Sequence, residues 1–114
     1  MNSQRCRRGD ALPFHGAQIM LGMTTTTVFT NPNGFAVTPS DSGLVWVKGA
    51  DFASVTSNTC NAPVPAHGTC TISYTAPLPD CATDNYTVRS YVSDSAGTAY
   101  GAQVSRSNST GVCR

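Results

Sequence analysis

Charge is what this 114-residue chain has least of. Charged side chains make up 11% of it, glutamate is absent, lysine occurs once and the net charge is +1. A chain so nearly neutral has no electrostatic footprint for nucleic acid or for an anionic membrane surface. Its one basic run, Arg5, Arg7 and Arg8, reads as a solvated tail. The helix formers Glu, Lys and Leu are equally scarce; Thr, Ser, Gly and Asn are abundant and favour strands and turns. No apolar run approaches the roughly 18 residues of a membrane-spanning helix, so membrane insertion is not expected. The catalytic inventory is also thin. There is no G-x-S-x-G elbow, no H-E-x-x-H and no phosphate-cradling glycine loop, and the two histidines, His15 and His67, have no local partners. Neither an enzyme nor a cofactor or metal site is expected.

Cysteine, by contrast, is plentiful, with five residues. No C-x-x-C pair occurs and neither histidine is spaced with a cysteine as a zinc finger requires, which favours disulfides over zinc. Local order suggests Cys60–Cys70 across a short connection and Cys81–Cys113 tying the last hairpin to the tail, although several connectivities satisfy the spacing. Cys6 is then left over, free or bonded to a neighbouring subunit. Disulfides imply an extracellular or cell-surface destination. The first 23 residues make a poor signal peptide, because Asp10, His15 and Gln18 interrupt the apolar stretch, so the export route is not visible.

The length is that of one domain with one core. Residues 1–22 show neither helical nor strand periodicity and read as an N-terminal arm. Residues 23–106 read as a sandwich and 107–114 as a polar tail. Thr24–Thr30 is a β-branched first strand, and Asn31-Pro32-Asn33-Gly34 is a turn in which Asn-Gly takes positive φ. Phe35–Thr38 alternates as a short strand. Leu44–Lys48, apolar on both faces, predicts a central strand with Leu44 and Trp46 on one face. Phe52–Val55 is a further short strand. In 69–74, Cys70, Ile72 and Tyr74 share a side. In the hairpin from Asn85 to Ser105, Tyr86, Val88 and Val92 face one way, Arg89 and Tyr91 the other, and Tyr100, Ala102 and Val104 complete the pairing across a Ser-Ala-Gly turn. About seven short strands with frequent turns predict an all-β antiparallel sandwich of the immunoglobulin/fibronectin-III type.

Gly43-Leu44-Val45-Trp46, then Tyr86-Thr87-Val88-Arg89-Ser90-Tyr91-Val92 and Ser95-Ala96-Gly97-Thr98-Ala99-Tyr100-Gly101, resemble the fibronectin-III-like repeats of bacterial surface and secreted proteins. The resemblance covers about residues 24–106 and is most specific in the hairpin. It implies a scaffold or binding module, with Tyr86 as the corner tyrosine that bonds back to the backbone. Those repeats are usually poor in cysteine and sit within long chains, so the cysteines and the arm are departures. Together they suggest a building block whose arm adds a strand to the sheet edge of another copy, making a homo-oligomer or filament.

Other motifs have plainer readings. Arg8-Gly9-Asp10 is a chance match to an integrin tripeptide. Asn85 and Asn108 fit the N-x-Ser/Thr acceptor pattern, which matters only in a glycosylating secretory pathway. Asp80, Asp84 and Asp94 lack calcium-loop spacing and read as solvated carboxylates. Arg89 and Tyr91, outward on a strand, are the candidate contact surface. Three functions follow: a self-associating structural subunit of an extracellular assembly, a virion decoration or tail protein leaving by lysis, or an adhesive module for carbohydrate or a surface receptor.

Overall fold

Five of the seven residues from Thr24 to Thr30 are threonine, and with Val28 and Phe29 they suit the pleated, half-buried surface of a sheet interior. The computed structural model describes residues 12–48, 53–79 and 85–107. Among these, eight strands form two antiparallel sheets: β1 (His15–Leu21), β2 (Thr24–Thr30), β3 (Asp41–Lys48), β4 (Ser54–Asn58), β5 (Thr69–Thr75), β6 (Tyr86–Asp94), β7 (Gly97–Tyr100) and β8 (Val104–Arg106). One sheet runs β1-β2-β5-β4. The other runs β3-β6-β7, with β8 pairing the opposite end of β6. If β7 and β8 are taken as one interrupted last strand, the order is ABED on CFG, that of an immunoglobulin constant-type sandwich.

Period-two alternation directs the core. Thr25, Thr27 and Phe29 point inward from β2, Cys70, Ile72 and Tyr74 from β5, and Tyr86, Val88, Ser90 and Val92 from β6. The apolar interior falls into two clusters. One gathers Phe14, Phe29, Ile72 and Val92 around the Cys60–Cys70 disulfide; the other gathers Tyr74, Tyr86, Val88 and Val104, with Leu44 and Trp46 packed against it. Ser90 donates across the sheets to Thr27 (2.9 Å), and Thr27 donates on to Gln18 Oε1 (3.1 Å). This relay leaves no room at Gly101, where a Cβ would lie 2.6 Å from Ser90 Oγ and 2.8 Å from Thr27 Oγ1. The Gly101 N–H bonds the Ser90 carbonyl (2.9 Å) in the β6–β7 register, and the pairing with β6 shifts by one residue before β8.

Several elements differ from the sequence reading. His15–Leu21, expected in the arm, is a full strand joined to β2 by the two-residue turn Gly22-Met23. Gly22 has φ +63°, as a two-residue hairpin turn requires. Phe35–Thr38 is not a strand. Only Val37 makes a bridge, to Val64, and the Phe35 carbonyl is taken by the Asn31 side chain. The short strand placed at Phe52–Val55 is β4, and it runs from Ser54 to Asn58. β3 begins at Asp41 and lies at the edge of its sheet, not the centre. Ala99 rather than Tyr100 turns inward on β7, and Ala102 is exposed between β7 and β8. Asn33-Gly34 does not take positive φ.

Candidate interaction surfaces

Two surfaces stand out: the open edge of β1 and the outer face of the β3-β6-β7 sheet. β1 is secured at its root. Phe14 is buried in the core, and the Asn33 side chain clasps the backbone of Leu12, accepting from its N–H (2.7 Å) and donating to its C=O (3.0 Å). Asn33 is itself fixed by Asn31 Oδ1, which accepts from its backbone N–H (2.9 Å) and its Nδ2 (2.8 Å). Asn31 Nδ2 in turn bonds the carbonyls of Phe35, Val64 and Pro65. Beyond this anchorage β1 pairs, among the described residues, only with β2, and none of them covers its other edge. It carries no lysine, proline or acidic residue, and Ile19, Met20 and Leu21 are 64%, 47% and 81% exposed. Natural edges are ordinarily blunted by charge, proline or bulges, and this one is not.

On the outer face, Arg89 and Tyr91 project from β6 with Tyr100 beside them on β7 and Asp41, Gly43 and Val45 alongside on β3. The Arg89 guanidinium lies 3.7 Å from the centroid of the Tyr100 ring, within cation–π range. Arg89 Nε makes no hydrogen bond to a described atom. Tyr91 donates to Asp41 Oδ2 (2.9 Å). Burial raises the Tyr91 phenol above its ordinary pKa, and the hydrogen bond to Asp41 and its negative charge push the same way. Ser93 and Thr98 join hydroxyls at 2.8 Å. The face is therefore a set of side chains already tied to one another.

The other residues singled out in the sequence fall elsewhere. Cys60 and Cys70 form a buried disulfide with Cα atoms 5.0 Å apart. Cys6, Cys81, Cys113, Asn108, Asp80, Asp84 and the Arg8-Gly9-Asp10 match lie outside the described residues. Asn85 is exposed just before β6. Asp94 accepts from the Ala96 N–H (2.7 Å) and so shapes the hairpin turn. Tyr86 donates its hydroxyl to the Pro77 carbonyl, the corner contact expected of it; its pKa is raised by burial, against the nearby Arg106 charge. His15 is exposed on β1, and His67 sits exposed in a turn with φ 56°. No three potential metal ligands converge among the described residues, nor is any helix there long and apolar enough to cross a membrane.

No family model matches the chain, and no curated protein matches it. A solved structure does. The secreted serine protease VesC from Vibrio cholerae superposes with a TM-score of 0.56 at 16% identity, over 84% of this chain and 23% of that one. The chain thus spans under a quarter of that protein, and at this identity the likeness is one of fold.

Neither the Asn31–Asn33 clasp nor the β1 strand emerges from the sequence reading. A signal for β1 does exist: two strand-capable runs separated by Gly22-Met23, a two-residue spacing with glycine first. For the clasp there is none, because an Asn-Pro-Asn-Gly run reads as turn chemistry whether its side chains are buried or not.

Proposed function

We propose that this chain is a non-enzymatic β-sandwich module that joins copies of itself through the β1 edge, within an extracellular or cell-surface assembly. The observation that carries the reading is the edge of β1: seven residues whose backbone no described strand pairs on one side, with Ile19 and Leu21 in solvent. Antiparallel pairing of β1 with β1 of a second copy about a two-fold axis would join two four-stranded sheets into one of eight. The reading revises the free arm of the sequence analysis. β1 is held to its own domain and presents an edge, so association adds strand to strand without exchanging chains.

The buried disulfide fits an oxidising setting, as does likeness to part of a secreted protein. The resemblance of the β6–β7 hairpin to fibronectin-III-like repeats fits a surface assembly. Sedimentation velocity of the whole chain over a concentration series tests the proposal. Wild type should associate, whereas Ile19→Lys and Leu21→Lys, both at exposed positions, should sediment as folded monomers. Wild-type protein that stays monomeric throughout, or variants that associate equally well, would refute it.

A further inference from the structure

The outer face of the β3-β6-β7 sheet holds a depression of about 160 Å³ lined by Asp41, Val45, Tyr91, Ser93, Thr98 and Tyr100. A second depression, of about 290 Å³, shares Asp41 with it but lies between the sheets, where Ser42 accepts from Asn58 Nδ2 (2.9 Å). Gly43 opens the first. It has φ +147°, disfavoured for a side chain, and the Tyr91 ring fills the space that its Cβ would face, at 3.8 Å. Tyr91 lies across β3 here and reaches Asp41.

We propose that this groove binds an oligosaccharide. A sugar presents flat C–H faces and a rim of hydroxyls. The groove offers matching chemistry: two tyrosine rings for the faces, and for the rim the Asp41 carboxylate and the Ser93 and Thr98 hydroxyls. The aromatic platform is set before binding, since Asp41 ties Tyr91 and Arg89 covers Tyr100, so little side-chain entropy is lost on association. Besides the two tyrosine rings, Val45 is the one apolar side chain that lines the depression. Arg89 acts as a positioning residue that fixes the tilt of Tyr100. The site lies on the sheet opposite β1 and is independent of the self-association proposed above.

Amide chemical shifts of the whole chain, titrated separately with cellohexaose, chitohexaose, xylohexaose and soluble polygalacturonate, test it. At least one glycan should move amides of Asp41–Val45, Tyr91–Ser93 and Thr98–Tyr100 together. Tyr100→Ala and Asp41→Ala should each weaken that response about tenfold, the scale set by one hydrogen bond or one ring face. Thr24→Ala, on the other sheet, should leave it unchanged. The proposal fails if none of the four glycans moves these amides, or if the response survives both groove variants. It fails equally if a tryptic casein peptide mixture perturbs the groove when the glycans do not, since the site would then belong to peptides.

Discussion

Asn33 is 3% exposed, and its side chain is spent on neighbours: Oδ1 accepts from Leu12, and Nδ2 donates to Leu12 and to Asn31. Replacing it by aspartate alters one atom and almost no volume. The two Nδ2 donations, to the Leu12 carbonyl (3.0 Å) and Asn31 Oδ1 (2.8 Å), become contacts between acceptors. Two neutral hydrogen bonds contribute about 2 kcal/mol net, and leaving a buried polar group unsatisfied costs about 1–3 kcal/mol more. Asn33→Asp should therefore cost about 3–5 kcal/mol at pH 7, a large part of the ~5–15 kcal/mol that holds a domain folded. The penalty is pH-dependent. Burial among acceptors raises the new carboxyl's folded pKa above its unfolded value of about 3.9, because the protonated form can donate once more. The part of the cost due to ionisation is absent below that unfolded pKa and is complete once pH has risen through the folded one, whereas the loss of one of the two donations persists at every pH. Urea unfolding followed by the fluorescence of Trp46, the only tryptophan, at pH 4 and pH 7 reads it directly. Hydrogen exchange at the Leu12 amide should accelerate in the variant. A cost under about 1 kcal/mol at pH 7, or the same cost at both pH values, would refute the assigned geometry.

Two further outcomes are expected. Replacing both Cys60 and Cys70 by alanine frees a loop of sequence separation 10, which by loop-closure entropy should cost about 3 kcal/mol in the same urea assay; a loss under about 1 kcal/mol would mean that the 60–70 loop is held by its hydrogen bonds alone. Tyr74 and Thr25 face each other across β2 and β5, and neither buried hydroxyl has a partner in hydrogen-bond geometry. Burial raises the Tyr74 phenol, opposed by the Thr25 dipole and the Arg106 charge. Its contribution to stability is thus fully present below about pH 10 and is lost as pH climbs toward the folded pKa. Tyr74→Phe should be within about 1 kcal/mol of wild type at pH 8 and lose less stability between pH 9 and pH 11; an equal alkaline loss in both proteins would exclude Tyr74 as a source.

The elements legible in the sequence are those whose two faces differ. β5 and β6 alternate because one face meets the opposite sheet, and inward residues follow from the pattern there, including Tyr86 at the corner, as do Leu44 and Trp46 on one face of β3. β2 is legible as a β-branched run, but its five threonines do not tell which face is buried. β1 is illegible for the converse reason. Six of its residues are exposed, so no burial pattern is imprinted on them and only the turn betrays the strand. Tyr100, Ala102 and Val104 alternate in the sequence but do not share a face, because the pairing with β6 shifts by one residue between Gly101 and Val104 and resets the period of two. Of the outer groove, Arg89 and Tyr91 can be read from alternation, whereas Asp41 and Gly43 depend on the β3–β6 register, which brings residues some fifty apart into contact. Pairing of that kind leaves no local trace.

The disulfide has a mechanical consequence. Cys60 precedes β5 and Cys70 lies within it, so the bond stays inside one sheet and never bridges to the other. Because β1 and β8 belong to different sheets, tension applied at the two described ends runs through the noncovalent seam between them. Under load the two sheets can part with the Cys60–Cys70 bond intact. Only the lengths differ: the ten peptide steps inside the bond stay hidden, shortening the extended chain by about 30 Å once the 5.0 Å Cα–Cα span is subtracted. A pulled copy with its disulfide reduced would lengthen by that increment.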